Sequence, residues 1–337
     1  MEGKRVIFFE VEKWEQEFFR HKLTSRAELE FFDHRLTPDK IDEASSANYL
    51  VSFIYSDLSQ RMLDQIPQLK GIATMSVGTD HIDLKESARR NITVCNVPAY
   101  GPNTVAEHTV ALLLALSRKI VPSVERTRHG EYEYTGLTGW DLMGKTLGII
   151  GTGKIGSHVA RIAQGLGMRL VGYDPMPNKQ LSEKTGLEYM SLPQLFHLSD
   201  VISLHIPLNE QNKHMLSKEE FAQMKKGMVV INTARGGLID PQALVDALND
   251  GTVSQAGIDV LEDEGLLKEE RQFFSPYFEL KDFQTALANH ALMHDERVLV
   301  TPHNAFNSKE ALQNILQTTL ENIEGMLTGD AVNVVHK

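Results

Sequence analysis

Short apolar runs alternate along the chain with longer polar or amphipathic stretches. Val6 to Phe9, Leu29 to Phe32, Leu50 to Tyr55, Gly71 to Met75 and Ile92 to Cys95 read as buried strands. The pattern resumes at Val201 to Ile206, Met228 to Ile231, Ala256 to Val260 and Val298 to Thr301. Uninterrupted apolar strands separated by helical segments predict parallel sheets covered on both faces. Helical spacing runs from Val105 through Thr109, Leu112, Leu113 and Leu116 to Ile120, opened by a capping box of Thr104 and Glu107. A last helix places Leu312, Ile315, Leu316, Thr319, Ile323 and Leu327 on one face, capped by Asn307 with Glu310 and ended by Gly329. Val121 to Met143 shows no clear period and is expected to be an arm against a partner subunit.

The stretch Thr146 to Asp174 carries the most specific pattern: an apolar strand, the turn Gly151, Gly153, Gly156 in GxGxxG spacing, an amphipathic helix, a second strand and an acid. The first glycine permits a tight turn, the second lets backbone approach a pyrophosphate, and the third lets helix pack on strand. Lys154 and Ile155 open the helix, whose first N–H groups lack partners and favour phosphate. Asp174 falls where a carboxylate holds the ribose of a dinucleotide. A second match, Gly139 to Thr146, reproduces GxxxxGK[ST] letter for letter. It is rejected, because Lys145 and Thr146 open a strand rather than a helix and Asp141 repels phosphate.

At 337 residues the chain exceeds one typical core, so two domains are expected. A formal charge of -11 excludes a general nucleic-acid or anionic-membrane binder and leaves small-molecule work. Cys95 is the only cysteine, so no intrachain disulfide forms and a reducing compartment fits. The longest apolar run, Val110 to Leu116, is too short to span a bilayer, and a cytoplasmic protein is expected. No metal is expected: His290 and His294 stand one helical turn apart without an HExxH acid, and read as a solvated face.

Polar groups close each later strand: His205-Ile206-Pro207, Asn232-Thr233-Ala234-Arg235-Gly236-Gly237, Asp259 to Glu264, and Pro302-His303-Asn304-Ala305-Phe306. Taken with SVGTDHID from Ser76 and NVPAYGPN from Asn96, these motifs resemble, in order and spacing over nearly the whole chain, the D-isomer-specific 2-hydroxyacid dehydrogenase family, most closely its D-lactate dehydrogenase branch. The resemblance implies two doubly wound parallel-sheet α/β domains. A Rossmann-type NAD-binding domain of residues 102 to 301 is inserted into a discontinuous flavodoxin-like substrate domain of residues 1 to 101 and 302 to 337. It also implies roles. Arg235 binds the substrate carboxylate and carbonyl, Glu264 pairs with the catalytic histidine, and His303 is the acid/base. Val77, Gly78, Tyr100 and Phe306 line the substrate site. NAD is held by Gly151, Gly153, Lys154, Ile155, Gly156, Asp174, His205, Pro207, Thr233, Ala234 and Asp259. A homodimer is implied as well.

The chemistry explains these residue types. Hydride transfer from a nicotinamide to the carbonyl carbon of a 2-keto acid needs a proton donor that works near neutral pH, which histidine provides. A carboxylate orients the imidazole, and the planar fork of arginine matches a 2-keto acid. The expected reaction is reduction of pyruvate, or a related small 2-keto acid, to the D-2-hydroxy acid with NADH. Glyoxylate, hydroxypyruvate or a larger 2-keto acid is the alternative, since Asn307 and Ser308 stand where the branch carries an aromatic residue and threonine. NADH-sensing corepressors of the same family form a second class, but they carry extra disordered tails, so an enzyme is expected.

Overall fold

The computed structural model describes residues 4–264 and 280–335. The chain divides into two compact units, Met1–Gly101 with Ser308–Lys337, and Pro102–Asn307. The first unit has a five-stranded parallel sheet of β1 (Arg5–Phe8), β2 (Glu28–Phe31), β3 (Tyr49–Ser52), β4 (Gly71–Thr74) and β5 (Thr93–Cys95) in the order β2-β1-β3-β4-β5. This is the flavodoxin-like order. The helix Lys309–Thr328 joins the same unit: Tyr49 donates its hydroxyl to the Met326 carbonyl at 3.3 Å, and a Cβ on Gly71 would lie 2.5 Å from Met326 Sδ.

The second unit has seven parallel strands: β6 (Thr146–Ile150), β7 (Arg169–Tyr173), β8 (Glu188–Tyr189), β9 (Val201–Leu204), β10 (Met228–Asn232), β11 (Val253–Ile258) and β12 (Val298–Val300). Their order, β12-β11-β10-β9-β6-β7-β8, is the Rossmann arrangement with one strand added at the edge. Side chains of one strand serve both layers. Leu147 and Ile149 pack with Val159, Ala160 and Leu113 on one face, and Ile150 packs with Leu204, Val230 and Ile258 on the other. Among the described residues no helix is long and apolar enough to cross a membrane.

Several boundaries differ from the sequence expectations. The helix around Thr104 begins at Pro102, a residue whose missing N–H and fixed φ suit a first turn, so Thr104 lies inside the helix. The segment from Val121 contains a helix, Ile120–Arg128, set off by Lys119 at φ 54. It has no buried residue, and this hides its period in the sequence. The last helix is capped by Ser308, which accepts the Ala311 N–H, rather than by Asn307. The chain returns to the first unit at Ser308 rather than Pro302, because backbone bonds to Asp259 hold residues 303 to 305 in the inserted unit.

Glu15 in the first helix is buried, and desolvation raises its carboxyl to about 7 although it accepts the Glu12 N–H at 2.7 Å. A folded-state value above the unfolded one gives stability that is present at low pH and is lost as pH rises from the unfolded value through about 7. Glu15→Gln keeps an acceptor for the cap and carries no charge. Its melting temperature should exceed that of the parent at pH 8, by an amount equivalent to about 3 kcal/mol, and the gap should close by about pH 4. A variant with the same difference at both pH values would contradict the assignment.

Candidate active site

The loops following β6, β9, β10, β11 and β12 leave the same edge of a parallel sheet, so their polar residues gather there. After β6 the chain turns at Gly151, whose φ of 92 only glycine adopts easily and whose Cβ would lie 2.6 Å from the His205 carbonyl oxygen. A Cβ on Gly156 would lie 2.0 Å from the Gly151 oxygen, so helix and turn touch through backbone alone. Above Gly153 a Cβ meets nothing within 4 Å, and Gly153 caps the helix Lys154–Gly165 without a side-chain bond. Free amides beside open space fit a pyrophosphate. Asp174 accepts the Thr152 N–H at 2.7 Å and the Met176 N–H at 2.8 Å, which fixes this acid against the turn. These residues fit a dinucleotide.

Gly139 to Thr146 leads directly into β6, with no helix after it, so the P-loop likeness is accidental. His205 bonds Ser203 Oγ at 2.8 Å, and burial lowers its imidazole well below the ordinary range, so it is neutral. The Pro207 carbonyl accepts Asn212 Nδ2 at 2.7 Å. Thr233 is buried with its hydroxyl 2.8 Å from that of Thr109, and Ala234 donates its N–H to Asn232 Oδ1 at 3.0 Å.

Asp259, at the end of β11, is 1% exposed. Its carboxylate accepts the Thr301 hydroxyl, the Asn304 N–H at 3.0 Å and the Ala305 N–H at 2.9 Å. Its carbonyl accepts the His303 N–H at 2.8 Å. His108 adds a bond of 3.1 Å to Thr301 Oγ1 and stands 3.5 Å from Asp259 Oδ1. The Asp259 carboxylate thus faces the loop that carries His303. That loop is held with His303 at φ 52, a left-handed conformation uncommon for a residue with a side chain.

His303 Nδ1 lies 2.9 Å from Glu264 Oε2, and Glu264 Oε1 accepts the Leu261 N–H at 3.0 Å. The carboxylate is thereby aimed by its own turn. Arg235 opens the neighbouring loop, with Nη1 donating to the Ala234 carbonyl at 2.8 Å. Gly236 brings that loop onto the next: a Cβ there would lie 2.0 Å from the Leu261 carbonyl carbon. Arg235, Glu264 and His303 therefore all belong to the inserted unit, as does Phe306.

Val77, Gly78 and Tyr100 belong to the other unit. Val77 is exposed, its carbonyl accepts Asn96 Nδ2 at 2.8 Å, and Ser76 Oγ donates to the Gly78 carbonyl at 2.6 Å. The Tyr100 carbonyl accepts Asn314 Nδ2 at 2.9 Å. Burial pushes the Cys95 thiol up to about 11, which leaves it protonated and unsuited to nucleophilic work. Among the described residues no cluster of three or more His, Cys, Asp or Glu could hold a metal. His290 and His294 are exposed with rings 4.1 Å apart.

Residues 110–305 match the profile of the D-isomer specific 2-hydroxyacid dehydrogenase NAD binding domain. The chain belongs to the D-isomer-specific 2-hydroxyacid dehydrogenase family. Its relatives include the D-lactate dehydrogenase of Escherichia coli (strain K12), 40% identical over 306 residues that cover 90% of each chain. The glyoxylate reductase of Korarchaeum cryptofilum is 32% identical over 92% of this chain and 89% of its own. The crystal structure of a D-lactate dehydrogenase from Aquifex aeolicus, complexed with NAD and lactic acid, superposes with a TM-score of 0.87 at 33% identity, covering 96% of each chain. As a member of this family the protein is an NAD-dependent D-2-hydroxyacid dehydrogenase.

Proposed function

We propose that the enzyme reduces pyruvate, or a 2-keto acid of similar size, to the D-2-hydroxy acid, with His303 as proton donor. The observation that carries this reading is the Glu264–His303 pair, 2.9 Å between Oε2 and Nδ1. Bound NADH supplies the hydride to the carbonyl carbon. The residues of the chain supply the rest. His303 Nε2 delivers a proton to the carbonyl oxygen in reduction and removes it in oxidation, and Glu264 orients the ring and stabilises its charged form. In the inserted unit Arg235 pairs with the substrate carboxylate and polarises the carbonyl, with Phe306 at the pocket wall, and in the other unit likeness to the family makes the backbone at Val77 and Gly78 and the Tyr100 hydroxyl substrate-binding groups. Residues 1 to 101 with the last helix serve as the substrate domain, and the inserted unit as the NAD domain.

On the cofactor side, Gly151, Gly153, Lys154, Ile155 and Gly156 hold the pyrophosphate and Asp174 the ribose hydroxyls. His205, Pro207, Thr233, Ala234 and Asp259 line the remainder. The Asp174 carboxylate favours NAD, since it repels a ribose phosphate. A small substrate is favoured by the relatives named D-lactate dehydrogenase. The departure at Asn307 and Ser308 also has a local purpose: Asn307 N–H closes a turn on the Asn304 carbonyl at 2.9 Å, and Ser308 caps the last helix.

We further propose a homodimer. The helix Ile120–Arg128 leaves Ile120, Val121 and Val124 exposed, and the segment after it leaves Tyr132 98% and Tyr134 86% exposed. Such an apolar stretch is unusual on a monomer.

Two outcomes test these readings. With NADH and pyruvate, Arg235→Lys should lose roughly 100-fold in kcat/KM, because an ammonium cannot reproduce a two-pronged contact that strengthens in the transition state. Retained activity would remove Arg235 from its role. Light scattering should give twice the mass of the chain, and the double substitution Val121→Glu, Val124→Glu should shift it to the monomer. A monomeric parent at micromolar concentration would overturn the dimer.

A further inference from the structure

Three loops that carry or border the catalytic set are joined by a group of side chains with no part in the proposed chemistry. Glu262, whose side chain is 9% exposed, lies two residues before Glu264. Its Oε1 pairs with Lys213 Nζ at 2.9 Å and its Oε2 with His214 Nε2 at 2.7 Å. Its backbone carbonyl accepts Asn289 Nδ2 at 2.7 Å. The pairing with Glu262 holds the Lys213 ammonium above its usual range.

His214 reaches two loops at once. Its backbone sits at φ 54, and its N–H donates to the Gly237 carbonyl at 2.7 Å, within the loop that begins with Arg235. Its ring meets Glu262 in the loop that ends at Glu264. Those two loops are in backbone contact, since a Cβ on Gly236 would lie 2.0 Å from the Leu261 carbonyl carbon and 2.3 Å from the Glu262 nitrogen. The turn between Leu261 and Glu264 is strained at Asp263, φ 54, and its Leu261 N–H is the group that aims the Glu264 carboxylate. A strained turn persists only where its surroundings hold it. Lys213, His214 and Asn289 hold this one.

We infer that Lys213, His214 and Glu262 form a positioning bracket. It fixes the Leu261-to-Glu264 turn, and through it the Glu264–His303 pair, in register with the Arg235 loop. His214 is a positioning residue, acting on the chemistry only through Glu262 and the turn. This inference rests on the acid/base reading of Glu264 and His303 given above. A charge-assisted bond to a carboxylate of low exposure is strong enough to decide the orientation of a short turn, and catalytic groups displaced by a fraction of an ångström lose much of their effect.

The test compares His214→Leu, which removes the bond, with His214→Gln, whose side-chain amide stands where Nε2 stood and can donate to Glu262. Amide hydrogen exchange of the full chain should be about tenfold faster over Leu261 to Glu264 in the leucine variant and near that of the parent in the glutamine variant. Exchange at Gly151 to Gly156 should not change. In steady-state reduction with NADH, the leucine variant should lose about tenfold in kcat with KM for NADH within twofold, and glutamine should restore most of the loss. Unchanged exchange over Leu261 to Glu264 would overturn the bracket. Faster exchange with an unaltered kcat would overturn its catalytic role, and an equal loss in both variants would reduce it to packing. A parent protein that turns over no 2-keto acid would overturn the reading of the reaction, and the exchange data would then decide the bracket alone.

Discussion

The buried carboxylate of Asp259 is the interaction on which the rest of the site depends. Removing an ionised carboxylate from water costs several kcal/mol unless donors surround it. Here the donors are the Thr301 hydroxyl and the Asn304 and Ala305 amides. They come from one short stretch, so satisfying the charge dictates the path of the chain after β12. His303 lies in the middle of that stretch and has no alternative but the left-handed conformation it adopts. The carboxylate thus converts a desolvation cost into a fixed position for His303.

Glu264 has the opposite character. It is partly exposed, takes one backbone N–H on one oxygen and the His303 ring on the other, and sits at the end of a turn rather than at the end of a strand. Two carboxylates five positions apart therefore have separate duties, Asp259 fixing the His303 backbone and Glu264 its ring. Because both donors and acceptors are in place before substrate arrives, the proton transfer proposed for His303 needs little reorganisation. The glycine turn works by the same logic: Gly151 and Gly156 allow backbone contact that any side chain would block, and open space lies over Gly153.

Much of this was legible in the sequence. Strand–turn–helix–strand order around Gly151, Gly153 and Gly156, with Asp174 closing the second strand, has few structural solutions, and apolar runs bounded by polar loops located the other strands to within a few residues. Parallel order then brought the strand-end motifs to one edge. The roles of Arg235, Glu264 and His303 came from likeness to a family, since 38 intervening residues say nothing of the contact between Glu264 and His303. What stayed hidden was of two kinds. Two-residue β8 lacks the length to show a period, and the helix Ile120–Arg128 buries none of its side chains, so hydrophobic spacing had nothing to record. The supporting contacts of His108, Lys213 and His214 depend on tertiary approach between distant loops, and single polar residues on a helix or loop carry no spacing signal for that.

The most direct measurement is the configuration of the product. Purified protein incubated with NADH and a panel of pyruvate, glyoxylate, hydroxypyruvate and larger 2-keto acids should oxidise NADH fastest with pyruvate or a keto acid of similar size, and chiral chromatography of the pyruvate reaction should show D-lactate alone. L-lactate or a racemic product would contradict the D-specific reduction on which the account rests, and binding of NADH without turnover of any member of the panel would contradict the enzyme itself.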